Sequence, residues 1–170
     1  MEGVTAAEVG SFFLSLVVPI ITGVAAAGFT AYLALRRFYK EKWWEKKHSA
    51  YNQLIDDLIE VKSFYGQALY YYDIINNAGK NDKAPKWSLD WKKFNELNRK
   101  LQRSYSLAPI SSSKNTRKLL YSFFEKQDLV EHSIGVERYP EEAVYSDMIA
   151  ATEAIIDAIV LDAEKELKFM

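Results

Sequence analysis

The chain has 170 residues, 49 % of them hydrophobic, a net charge of −1 and no cysteine, which excludes disulfides, thiolate metal sites and a cysteine nucleophile. The near-neutral total hides an asymmetry: residues 1–35 carry −2, residues 36–47 carry +4 and residues 48–170 carry −3. An acidic 48–170 segment is a poor general nucleic-acid surface, because such binding draws its affinity from phosphate neutralisation; the segment is long enough to bury one core.

Val9 to Leu35 contains no charged side chain. A helix rises about 1.5 Å per residue, so roughly 20 apolar residues cross the hydrocarbon core of a bilayer. A soluble helix of this length would show a polar face, and the run therefore predicts a transmembrane helix over 9–35. The preceding MEGVTAAEVG holds Glu2 and Glu8 and no basic residue. A secretory signal starts basic and has a shorter apolar core. Ala25–Ala27 resembles a cleavage motif, but apolar sequence continues past it, so the span reads as a retained anchor. Within it Ser15, Pro19, Gly23, Ala27 and Ala31 recur every fourth residue. Small residues at this spacing let membrane helices approach closely, which makes Ser15, Gly23, Ala27 and Ala31 a candidate packing face for a homo-oligomer; Ala and Gly are also common in membrane helices without any such role. A selective ion path would normally carry a charge in the span. A weakly selective multimeric pore lined by Ser11, Ser15, Thr22 or Thr30 stays open.

Residues 36–47 form a basic-aromatic segment with Arg36, Arg37, Lys40, Lys42, Lys46 and Lys47 against Glu41 and Glu45. Positive charge marks the cytoplasmic flank of a span, and aromatic rings such as Phe38, Tyr39, Trp43 and Trp44 sit at headgroup level. Residues 1–8 are accordingly expected outside and 48–170 in the cytoplasm, with a single pass through the membrane; the resemblance given below implies that this is the inner membrane of a bacterial cell. Arg36, Arg37, Lys40, Trp43, Trp44, Lys46 and Lys47 are the expected interface residues. Each Lys or Arg near an anionic leaflet adds about 1 kcal/mol of attraction, although positive-inside bias alone accounts for the cluster.

From Lys40 to about Asn76, Tyr51, Leu54, Leu58, Val61, Tyr65, Ala68, Tyr72 and Ile75 alternate at spacings of three and four, the mark of a helix. Asp56, Asp57, Glu60 and Lys62 are assigned to its solvated side. No Pro or Gly falls between Leu35 and Tyr65, so the membrane helix is expected to continue into this one as a stalk, with Gly66 a weak point. Residues 76–86 read as a loop. Ser88 is the expected N-cap of a second helix, whose stripe is Trp91, Phe94, Leu97, Leu101, Tyr105 and Ala108 and whose end is set by Pro109. Ser111, Ser112 and Ser113 offer N-caps for a third helix, with Leu119, Leu120, Phe123, Phe124 and Val130 apolar. A break over 134–140 follows. Pro140 with Glu141 and Glu142 then opens a last helix carrying Tyr145, Met148, Ile149, Thr152, Ile155, Ile156, Ile159, Val160, Ala163 and Leu167. Strand-like alternation is missing. The expected class is all-α: one N-terminal transmembrane helix followed by a cytoplasmic bundle of about four helices.

Little in the chain carries chemistry. His48 and His132 lack a metal-ligand spacing, Asp56 and Asp57 diverge on a helix, and Glu153 and Asp157 share a face without partners for a di-metal site. There is no phosphate-binding Gly-rich loop and no nucleophile elbow. No catalytic, cofactor or metal residue is assigned, and the chain reads as a non-enzyme. The exception held open is Ser112, Ser113, Lys114, Arg117 and Lys118 at a helix N-terminus, a candidate site for a small anionic ligand. Simple capping is the rival reading there, although cations in a first turn oppose the helix dipole and an anion would relieve that cost.

The stretch Arg36-Arg37-Phe38-Tyr39-Lys40-Glu41-Lys42-Trp43-Trp44-Glu45-Lys46-Lys47, followed by Ala50-Tyr51 and Leu54-Ile55, resembles small bacterial single-pass membrane proteins of unassigned function. These have a juxtamembrane Trp-Trp-Glu-Lys-Lys signature opening a helical domain. The likeness covers about the first third of the chain and implies no site residues. The layout is also similar to that of membrane effectors of bacterial antiviral systems. Two functions are therefore expected in competition. One is a non-enzymatic interaction or scaffold protein whose bundle binds a cytoplasmic protein partner at the membrane. The other is a membrane-disrupting effector that oligomerises through its span when its cytoplasmic domain is triggered.

Overall fold

The computed structural model describes residues 6–77, 87–134 and 140–168. The loop expected over 76–86 thus falls outside the described residues from 78 onward, as do 135–139 of the expected break and the first five residues of the N-terminal segment. Among the described residues four helices make up the fold: α1 (Ala6–Asn77), α2 (Trp91–Ser111), α3 (Lys114–His132) and α4 (Glu141–Lys168). No strand occurs among the described residues. The chain divides into two units, Met1–Trp43 and Trp44–Met170, and α1 contributes to both.

The first unit is helix alone. It is long and apolar enough to cross a membrane, and its large side chains from Phe12 to Leu35 are exposed. Its Ser15, Thr22 and Thr30 hydroxyls are satisfied within the helix. Ser15 Oγ donates to Phe12 O at 2.8 Å, Thr22 Oγ1 to Val18 O at 2.9 Å and Thr30 Oγ1 to Ala26 O at 2.8 Å. Such back-bonding frees these three hydroxyls of the need for water, which a hydrocarbon environment demands. Pro19 lies inside the helix, and Thr22 Oγ1 also reaches its carbonyl at 3.1 Å.

The second unit is a four-helix bundle made by the remainder of α1 with α2, α3 and α4. Backbones approach most closely where α3 packs on α4 and on α2. The α1 stripe buries Tyr51, Leu54, Leu58, Val61, Phe64, Tyr65 and Ala68. It meets the other helices largely through big rings: Phe64 stacks on Phe94 at 4.4 Å, Tyr65 lies edge-on to Phe94 at 5.5 Å, and Tyr72 stacks on Tyr145 at 5.5 Å. Leu97 and Leu101 of α2, Leu120 and Phe123 of α3, and Met148 and Ile159 of α4 complete the core.

Three local expectations are corrected. The N-cap of α2 is Asp90, whose carboxylate accepts from Lys93 N at 2.9 Å, rather than Ser88. Leu89 before the cap and Phe94 after it stand at the two positions of a hydrophobic staple, and both are buried in the core, which fixes the start at Trp91. Pro109 does not end α2; the helix runs on to Ser111. In the last turn a proline forfeits only one backbone bond. Ser111 Oγ donates to Leu107 O at 2.9 Å, and Ser112 N to Ala108 O at 2.9 Å, closing the turn around it. Asp57, assigned to the solvated side of its helix, is 2 % exposed. It lies three residues after Leu54 and four before Val61 and so falls on the buried stripe itself.

Candidate functional site

The densest polar constellation lies where the start of α3 and the last turns of α4 meet α1 at Lys47 and Tyr51. Ser113 caps α3, its hydroxyl accepting from Thr116 N at 3.0 Å. The carboxylate of Asp162, reaching over from α4, accepts from the hydroxyls of both Ser113 and Thr116. Asn115 Nδ2 donates to its other oxygen at 3.4 Å. Burial alone would raise the Asp162 pKa, but the donors from Ser113, Thr116 and Asn115 outweigh it and hold the carboxyl below its ordinary value. Glu166, one turn further along α4, pairs with Lys47 at 3.2 Å and accepts from Tyr51 Oη at 3.0 Å. Tyr51 Oη in turn accepts the Ser113 backbone N–H at 3.0 Å. Burial, ahead of the opposing hydrogen bonds from Thr116 and Ser113, pushes the Tyr51 phenol above its ordinary value, so it stays a neutral donor. Trp44 Nε1 donates to Leu167 O at 3.3 Å. The cluster is a clasp that ties the α1 segment beginning at Trp44 to α3 and α4.

The clasp bears on the candidate anion site. An anion does stand at the N-terminus of α3, where it offsets the first-turn cations, and it is the chain's own Asp162. Ser113 is committed to it, and Ser112 Oγ donates to Ala108 O at 3.3 Å. Lys114, Arg117 and Lys118 are exposed and line an open depression with Tyr105 and Tyr121. The Arg117 guanidinium lies over the Tyr105 ring at 5.2 Å.

The expected membrane-interface residues divide between the two units. Arg36, Arg37, Lys40 and Trp43 belong to the first, with Arg37 paired to Glu41 at 2.8 Å. Trp44, Lys46 and Lys47 belong to the second, and the clasp engages Trp44 and Lys47 through α4. Along the first unit Ser15, Gly23, Ala27 and Ala31 are exposed, and a side chain added at Gly23 would meet nothing within 4 Å. Some of the histidines and carboxylates singled out in the sequence have structural partners. His48 stacks on Trp44 at 5.0 Å, and Glu153 pairs with Lys62 at 2.9 Å.

A second polar feature was not anticipated. Between α1 and α2 a groove of about 460 Å³ is lined by Gln53, Asp57, Lys100, Arg103 and Ser104, among others. Asp57 accepts from Gln53 Nε2 at 3.0 Å and faces Lys100 at 3.9 Å. Burial dominates these contacts, and its carboxyl is raised above the ordinary range. The signals that could have found Asp57 and Asp162 differ. Asp57 sits at stripe spacing, which is legible; Asp162 meets hydroxyls far away in sequence, and no local spacing announces it.

No family model, curated protein or solved structure matches the chain.

Proposed function

We propose that the chain is a membrane-anchored, non-enzymatic interaction protein, whose span over 9–35 holds the bundle at the inner face of a bacterial membrane for a cytoplasmic protein partner. The observation that carries the reading is the contrast along α1. Its apolar run is exposed and self-satisfied, whereas its later stripe is buried in a closed core. Exposed apolar residues on the bundle, such as Leu129 on α3 and Leu161 on α4, offer contact points for a partner. The test is photo-crosslinking in cells from probes placed at Leu129 and Leu161. Discrete adducts with another protein in the membrane fraction support the reading. An absence of adducts from both positions counts against it.

The effector reading is favoured by one observation, the uncovered face at Gly23. It predicts self-adducts from probes in the span, loss of membrane integrity on expression, and loss of both in Gly23→Leu. Intact membranes with adducts to another protein only would decide for the anchored interaction protein.

A further inference from the structure

At the end of the bundle away from the clasp, the last turns of the α1 stripe, the start of α2, the end of α3 and the start of α4 surround a cavity of about 290 Å³. That is close to the lower end of the roughly 300–1,000 Å³ typical of small-molecule sites. Five rings, Tyr65, Tyr72, Trp91, Phe94 and Tyr145, make up much of its wall, and among the described residues its one acidic group is Glu141. The rings hold one another in place. Trp91 stands edge-on to Phe94 at 5.8 Å, Tyr65 lies against Tyr145 at 6.2 Å, and Tyr72 stacks on Tyr145. Tyr65 is fixed further by Gln127, whose Nε2 donates to its hydroxyl at 2.7 Å and to Asn98 at 3.1 Å. These rings are therefore set before any ligand arrives, which lowers the ordering cost of binding.

Among the described residues Glu141 is the one charged group on that lining. It is partly buried, and burial raises its carboxyl above the ordinary value. Among the described residues no cation lies within ion-pair distance of it, whereas its neighbour Glu142 accepts from Asn76 at 2.9 Å. Its position in the first turn of α4 favours a carboxylate there through the helix dipole. An anionic ligand would meet repulsion from Glu141, and a neutral one would desolvate the carboxylate without compensation. A cation would balance the charge and also gain from the negative faces of the rings.

We propose that this cavity binds a small organic cation of the alkylammonium class, with its charge toward Glu141 and its carbon groups against Tyr65, Tyr72, Trp91, Phe94 and Tyr145. The bound cation bridges α1, α2 and α4 and adds to the stability of the bundle by mass action.

The test uses the full chain in phosphatidylglycerol nanodiscs, which contain no lipid ammonium group. Calorimetric titrations compare tetramethylammonium, choline and butylammonium with 3,3-dimethylbutan-1-ol, the neutral isostere of choline. The expected result is saturable binding of at least one cation, with choline at least tenfold tighter than its isostere. Glu141→Gln weakens the cation at least tenfold and leaves the isostere unchanged, while Trp91→Leu weakens both. Equal affinity for choline and its isostere would overturn the proposal in favour of a plain apolar cavity. Failure of all three cations to saturate the native protein would overturn it outright. The comparison of ligands on the native chain decides the matter even if a variant does not fold.

Discussion

Two stretches of α1 share one secondary structure and differ in everything else. From Phe12 to Leu35 the large side chains are exposed, no charge appears and the serine and threonine hydroxyls turn back onto the helix's own carbonyls. From Tyr51 to Ala68 an apolar stripe is buried and flanked by ionised groups that find partners on other helices, such as Lys62 with Glu153. Helix formation alone satisfies the backbone in both. Protein surroundings complete the stripe; on the proposed reading hydrocarbon completes the uniformly apolar run, since water would leave that whole surface exposed at roughly 25 cal/mol per Å².

Substitutions that act on one stretch and spare the other sharpen this contrast. The largest effect is expected from a cavity in the bundle. Leu58→Ala, at a fully buried position, should cost about 2–5 kcal/mol of unfolding free energy, read from the cooperative thermal transition by circular dichroism. Leu16→Ala, exposed in the apolar stretch, should leave that transition in place. Charge probes the other half. Val24→Arg should cost about 2.5–3.5 kcal/mol of insertion and move protein out of the carbonate-resistant membrane fraction. Ser63→Arg on the exposed side of the stripe should change stability by no more than about 0.5 kcal/mol. Equal loss from the membrane in both variants would break the contrast.

The clasp gives a smaller effect. Tyr51→Phe removes the acceptor of Ser113 N and the donor to Glu166, at an expected cost of about 1–3 kcal/mol in chemical denaturation.

The two unforeseen aspartates supply the finest test, because their pKa values move in opposite directions. Asp162 has a folded value below its unfolded one. Its contribution is complete above the ordinary carboxylate range and is lost as pH falls through that range to the lower folded value. Asp162→Asn should therefore be less stable than the native chain at pH 7, with the gap closing on acidification. Asp57 has a raised folded value, so its charged form opposes folding at neutral pH. Asp57→Asn should be as stable as the native chain or more so at pH 7. That gain shrinks as pH falls from the raised folded value to the ordinary one. Denaturation midpoints followed from pH 7 to pH 3 check both signs.

These aspartates also show where sequence reading stops. The four helices and most of their stripes follow from three-and-four spacing, and the apolar run from the absence of charge. Phe64 escaped the stripe because it neighbours Tyr65, yet a wide helix face holds both. Ser88 and Asp90 are equal as caps by residue type, and only the burial of Leu89 and Phe94 separates them. Pro109 was read from local conformational preference, which the hydroxyl and backbone bonds of the following serines override. The clasp joins Tyr51, Ser113 and Asp162 across more than a hundred residues, and that pairing exists only once the bundle has formed.

The central claim is that 9–35 crosses a membrane with the bundle on the cytoplasmic side. Because the native chain has no cysteine, Glu2→Cys and Ser146→Cys each introduce a single thiol. A membrane-impermeant maleimide applied to bacterial spheroplasts should label Glu2→Cys directly and Ser146→Cys only after the membrane is permeabilised. Labelling of Ser146→Cys in sealed spheroplasts, or recovery of the native chain in the soluble fraction, would contradict the account.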